Sequence, residues 1–219
     1  MATHLSDDEI SRYHKDGVVA PITVMSVSVA NELRQRLESA ESLFPQFIGP
    51  EKRNNAHYLL ACLDEIVHRE EVLDAVESLI GPDIVLTNTV LFIKEPNSLH
   101  HVTYHQDATY MGLEPQNSLT AWIALTESTC ENGCVRMIRG SHQLNIQQHI
   151  DTFGENNILT RGQQIENVDE NNALDVELEP GQMSLHHART IHGSRPNKSN
   201  ARRIGIALQS FAHPSTRQV

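Results

Sequence analysis

Cysteine is scarce and odd in number: Cys62, Cys130 and Cys134 are the only three in 219 residues. Such a set is not a disulfide framework, and the Cys130–Cys134 spacing is not that of a thiolate zinc pair. Free thiols, buried or partly buried in a reducing cytoplasm, are the expectation. Long apolar runs are missing too. No stretch approaches the roughly 20 residues needed to cross a bilayer, so no membrane partner is expected. The start, MATHLSDDEISRYHKDG, is polar and acidic and lacks the apolar run of a signal peptide. Basic residues are outnumbered, 17 Lys plus Arg against 28 Asp plus Glu, for a net charge of −11. That balance repels phosphate backbones and argues against a nucleic-acid partner. With nothing pointing to export, a cytoplasmic protein is the expectation.

The length suits one domain with a sizeable core, over residues 1–219. The first part, 1–82, reads mostly helical. Ser6-Asp7-Asp8-Glu9 fits a capping box, Ile10 and Tyr13 follow at helical spacing, and Gly17 ends the helix. A second helix starts near Ser26 or Ser28, with Val29, Leu33, Leu37 and Ala40 on one face. A third covers Arg69 to Ile80 and stops at Gly81-Pro82.

From Ile84 the period changes. IVLTNTVLFIK is β-branched and bounded by Pro82 and Pro96, which predicts a strand. Further short strands are expected at Val102–Gln106, Ser118–Leu125, Cys134–Ile138, Leu174–Leu178, Gln182–His186, Thr190–Ser194 and Arg203–Phe211. Turn residues separate them, at Glu114–Asn117, Glu131–Gly133, Glu179–Gly181 and Pro196–Asn200. The pattern predicts an α+β, mainly β fold: a double-stranded β-helix (jelly roll, cupin-like) barrel over 83–213, with the N-terminal helices packed on one sheet. The polar stretch 144–172 breaks the rhythm and reads as a long loop or lid.

Thirteen histidines make a metal worth seeking. Tyr104-His105-Gln106-Asp107 lies on or just past a strand. Residues two apart in a strand face one side, so His105 and Asp107 can aim an imidazole and a carboxylate into one cavity. A third ligand is available in Ser184-Leu185-His186-His187-Ala188-Arg189-Thr190-Ile191-His192-Gly193-Ser194. Two histidines and one carboxylate make a facial triad suited to iron(II), with positions left open for a chelating cosubstrate and oxygen. The residues alone leave His186, His187 and His192 open as the third ligand.

HQDATY, TAWIAL, ENGC, GSH and HGSRPNKSNARRIGIAL, in that order, resemble the phytanoyl-CoA dioxygenase family of iron(II)- and 2-oxoglutarate-dependent oxygenases. The likeness runs from the N-terminal helices to Phe211. It implies that His105, Asp107 and His192 are the catalytic metal ligands. It implies that Arg203, eleven positions past His192, grips the far carboxylate of 2-oxoglutarate, for which a planar guanidinium is well shaped. Arg202 is sent to the opposite face by strand alternation. Ser194 matches a family position beside the cosubstrate, and Trp122, the only tryptophan, a family aromatic that packs near it. Asn88 faces inward if the first long strand lines the barrel. The implied reaction consumes 2-oxoglutarate and O2, releases succinate and CO2, and hydroxylates a small-molecule substrate. Related halogenases lack the carboxylate ligand, so Asp107 favours hydroxylation. Two other classes fit the same residues: a cupin-like hydrolase or isomerase using another divalent metal, and a non-catalytic metal- or ligand-binding domain.

Overall fold

The structure, a computed structural model, describes residues 4–48, 53–111, 117–159 and 163–213. Helix α1 (Asp7–Asp16) opens on the capping box: Ser6 accepts from the Glu9 amide while the Glu9 carboxylate returns to Ser6. Gly17 closes it at φ 76°, a left-handed cap that glycine adopts without a Cβ penalty. Helix α2 (Val27–Leu43) is capped by Ser26, and α3 (Pro45–Ile48) follows. Helices α4 (Ala61–Val67) and α5 (Glu70–Ile80) complete the N-terminal part. Several elements here escape the sequence reading, α3, β1 and α4 among them. Strand β1 (Val18–Thr23) contains Pro21, a residue central strands exclude, but β1 lies at a sheet edge, where a missing N–H is tolerated. Helix α4 is too short to display a helical period and has no side-chain cap.

The strands then run β2 (Ile84–Lys94), β3 (Val102–His105), β4 (Ser118–Ala124), β5 (Val135–Ile138), β6 (Ile150–Asp151), β7 (Gln163–Gln164), β8 (Ala173–Val176), β9 (Gln182–His187), β10 (His192–Ser194) and β11 (Arg203–Ala212). A one-turn helix, α6 (Ala108–Met111), follows β3. The expected turn at Glu114–Asn117 lies largely outside the described residues. Two antiparallel sheets face each other, β1-β9-β4-β11-β2 and β3-β10-β5-β8, and β6 pairs with β7 in the long loop. This is the expected jelly roll.

Strand alternation gives the five-stranded sheet two apolar faces. Leu119, Ala121 and Ile123 of β4, Ile204, Ile206 and Leu208 of β11, and Met183 and Leu185 of β9 point outward and pack under the helices with Leu33, Leu37, Leu63 and Ile66. Trp122, Ala124 and Ala207 point inward and meet Val135, Met137 and Val176 of the second sheet. All seven residues of β4 are therefore buried, which explains its near-continuous apolar run. The inward row beyond these apolar residues forms the site.

Candidate metal centre

His105 ends β3, and His192 opens β10. The two strands pair antiparallel with His192 opposite His105, so tertiary register brings together residues far apart in the chain. Their ring centroids lie 4.2 Å apart. Asp107 sits two positions past His105, and its Oδ1 lies 3.4 Å from His105 Nε2 and 3.8 Å from His192 Nε2. These three ligand atoms all lie within 4.8 Å of one another. The side chains are buried.

Each ring is oriented from behind. His105 Nδ1 is 2.9 Å from the carbonyl of Thr103, and His192 Nδ1 is 2.9 Å from that of Thr190. A carbonyl only accepts, so Nδ1 carries the hydrogen in both rings, and in the neutral rings the Nε2 lone pairs face the centre. Thr120 Oγ1, inward on β4, donates to Asp107 Oδ2 at 2.6 Å and turns Oδ1 toward the imidazoles. Burial opposes ionisation of Asp107, but His192, His105 and His186 outweigh it and hold the carboxyl well below the usual range. His192 is pushed down to about 3, chiefly by burial and then by His105, with Asp107 opposing. One anionic oxygen and two neutral nitrogens converge at one point, a donor set that fits a divalent ion such as iron(II).

The other histidines of the late segment separate by strand parity. His186 of β9 points inward, its Nε2 3.4 Å from Asp107 Oδ2, and neither ring nitrogen has a hydrogen-bond partner among the described residues. His187 points outward, its ring 5.4 Å from that of His142 and 6.4 Å from that of Tyr13.

The cavity between the sheets runs from the triad to Arg203, lined also by Phe92, Trp122, Ser194 and Gln209. Arg203 is 1% exposed. Its Nη1 donates to the Gly133 carbonyl at 3.0 Å, its guanidinium lies 5.1 Å from the Trp122 ring centroid, and its Nε has no hydrogen-bond partner among the described residues. No carboxylate comes within ion-pair distance among the described residues. Burial pulls its pKa down to about 10. A buried, always-charged group without an anion is costly, and the cavity beside it can take one. Arg202 turns away to Glu38, Glu41 and Glu95. Asn88 lies on the inward face of β2 opposite Gln209, and its Nδ2 reaches the Gln209 side chain at 3.4 Å, one bond removed from the cavity wall.

Two groups at this site, Thr120 and Lys94, were not singled out in the sequence as candidates, and His186 was left open only as a ligand. Thr120 is hidden in an apolar run. Lys94, fully buried beside Arg203, looks like an ordinary lysine before the Glu95-Pro96 turn. Only strand pairing exposes it. The thiols also differ from expectation: Cys130 is exposed, while Cys62 and Cys134 are buried. Cys130 and Cys134, whose spacing argues against metal binding, do bring their sulfurs together with a carboxylate oxygen of Asp175. Arg136 Nη1 already holds that carboxylate, at 2.8 and 2.6 Å.

The family model for phytanoyl-CoA dioxygenase (PhyH) matches residues 13–205, which is most of the chain. The chain belongs to the phytanoyl-CoA dioxygenase family. Among curated relatives, a probable alpha-ketoglutarate-dependent hypophosphite dioxygenase of Stutzerimonas stutzeri is 30% identical over 151 residues, covering 68% of this chain and 52% of its own length. The peroxisomal phytanoyl-CoA dioxygenase of Bos taurus is 33% identical over 142 residues, covering 63% and 42%. The chain thus spans about half the length of the curated relatives it matches. Among solved structures, the apo non-heme monooxygenase ThoJ superposes with a TM-score of 0.82 at 32% identity, over 94% of this chain and 77% of that one. This phytanoyl-CoA dioxygenase family member has its aligned core in the same jelly roll.

Proposed function

We propose that the protein is an iron(II)- and 2-oxoglutarate-dependent dioxygenase that hydroxylates a small molecule, releasing succinate and CO2. One observation carries this reading: a two-histidine, one-carboxylate centre and a buried guanidinium with no carboxylate against it among the described residues occupy the two ends of one cavity. His105, Asp107 and His192 would hold the iron, and Arg203 with Ser194 would seat the far carboxylate of the ketoacid. Trp122 would wall its carbon chain. Asn88 would act through Gln209 at the metal end of the cavity. Iron with bound 2-oxoglutarate supplies oxygen activation coupled to decarboxylation.

The chain's own share is placement. Thr120 holds Asp107 so that one oxygen faces the metal position. The carbonyls of Thr103 and Thr190 keep each imidazole in the tautomer that can ligate. Phe92, Val102, Val135 and Ala207 keep the wall apolar, which limits water near the reacting atoms. The stretch 144–172 serves in this reading as a cover. Its support is docking against the strand of the first ligand: Gln147 N donates to Gln106 Oε1 at 2.8 Å, Gln106 N to His149 Nε2 at 3.1 Å, and Thr103 Oγ1 to the Gln163 carbonyl at 2.7 Å. All these parts act within one domain.

The test is anaerobic. Iron(II) followed by 2-oxoglutarate should produce the weak visible charge-transfer band of the chelate. Exposure to oxygen with a panel of small polar and apolar substrates should then yield succinate. No band, together with zinc-supported hydrolysis, would replace this reading with a cupin-like hydrolase. A band without succinate from any substrate would favour a binding domain.

A further inference from the structure

Lys94 is 0% exposed and lies directly beside Arg203, its register partner, on the inner face of the sheet. Two basic side chains stand side by side with no acid against either among the described residues. Burial first, and then the charge of Arg203, pulls the amine down to about 6. Both costs are incurred in the fold itself, and an anion in the adjoining cavity offsets both.

The contacts of Nζ define how Lys94 acts. It donates to the Gly133 carbonyl at 3.2 Å, to Ser194 Oγ at 2.7 Å and to the Arg195 carbonyl. Once protonated, the ammonium has three hydrogens and these three acceptors take them all, so none is left for a ligand. Lys94 therefore works through its neighbours. With a lone pair of Oγ occupied by Lys94, the Ser194 hydroxyl must send its own hydrogen elsewhere, and Ser194 lines the cavity. The Gly133 carbonyl, shared by Lys94 and Arg203 Nη1, ties the amine and the guanidinium to one point. Gly133 itself has φ 76°, and a side chain there would strike the Arg195 carbonyl, so the turn that presents this carbonyl requires glycine.

We propose that Lys94 is a positioning residue for the ketoacid: it aims the Ser194 hydroxyl, alongside the Arg203 guanidinium, at the carboxylate remote from the metal. This rests on the reading of the cavity as a 2-oxoglutarate site.

The experiment titrates 2-oxoglutarate into the anaerobic iron(II) protein, following the charge-transfer band, for wild type, Lys94→Met, Ser194→Ala and the double variant. Pyruvate, an α-ketoacid with no second carboxylate, is titrated in parallel. Loss of one hydrogen bond to a charged group predicts about tenfold weaker 2-oxoglutarate binding in Lys94→Met. Iron(II) affinity and pyruvate affinity should stay at wild-type values. The double variant should be about as weak as the weaker single variant, because both substitutions break one chain of contacts. Wild-type affinity in Lys94→Met overturns the proposal. So do fully additive losses, or equal weakening toward pyruvate, which would make Lys94 a fold element. If wild type itself forms no chelate with 2-oxoglutarate, the functional reading fails first, and that is visible before any variant is compared.

Discussion

Thr120 Oγ1 donates to Asp107 Oδ2 at 2.6 Å, and this bond decides which carboxylate oxygen meets the two imidazoles. Oδ2 is taken by the hydroxyl from the facing sheet, so Oδ1 is the oxygen turned to His105 and His192. The carboxylate comes from the segment after β3, and its orientation comes from β4. The centre is therefore held jointly by the two sheets.

Thr120→Val keeps the shape of the side chain and removes the donor. Iron(II) affinity should fall by about 10- to 100-fold, as for other partners standing behind a metal ligand. Thr120→Ser should retain most of the affinity. Metal titration followed by calorimetry reads both, and an unchanged dissociation constant in the valine variant would mean the carboxylate is oriented by other contacts.

Asp107→Ala removes the only anionic ligand of the triad. Succinate formation should become undetectable, and iron(II) should no longer be retained after gel filtration. His105→Ala should behave alike. Undiminished turnover in the Asp107 variant would be fatal to the assignment of the centre.

Gly205 lies on β11 where Trp122 crosses it, and a Cβ there would collide with the indole ring. Gly205→Ala should destabilise the fold by about 1–3 kcal/mol through overpacking. It should also displace the indole from the guanidinium of Arg203 and weaken 2-oxoglutarate binding. Trp122 is the only tryptophan, so its fluorescence reports the displacement directly. An unshifted spectrum with wild-type melting would refute the packing argument.

The ketoacid should bind more tightly at lower pH. In the free protein, burial and Arg203 hold Lys94 at about 6. A bound carboxylate favours the ammonium and raises that value, so binding draws in a proton. Affinity is then full below about pH 6 and declines as pH rises, by up to tenfold per unit, until the pKa of the complex is passed. The groups facing Lys94 do not mask this. Arg203 stays charged, with its pKa near 10, and the Cys134 thiol, pushed up to about 12 by burial, stays neutral. Calorimetry in buffers of different ionisation enthalpy counts the proton. A flat profile in wild type, or the same slope in Lys94→Met, contradicts it.

The elements legible in the sequence are those whose cause is local. The capping box of Ser6 and Glu9, the glycine stop at Gly17 and the proline-bounded strand Ile84–Lys94 each depend on residues within a turn or two of one another. Strand β1 was not legible, because Pro21 is acceptable only at an edge and edge status is a property of the whole sheet. Within the site, His105 and Asp107 could be paired by a two-residue period. Family resemblance pointed to His192 and Arg203. Lys94 and Thr120 carry no local mark, since their meaning comes from what stands across the sheet or cavity from them.

By itself, the sequence determined the helix caps, the strand-rich C-terminal part, the same-face histidine and aspartate, and membership of a family with this kind of centre. Only the tertiary structure set His192 directly opposite His105, with His186 inward beside Asp107 and His187 turned away. His186, His187 and His192 are alike as residues and differ in strand parity and in the register of β10 against β3. It also decided that Arg203 stands over a cavity rather than in solvent and that Lys94 stands beside it. Side-chain direction along one strand follows from the backbone period, whereas encounter between strands depends on how the whole sheet closes.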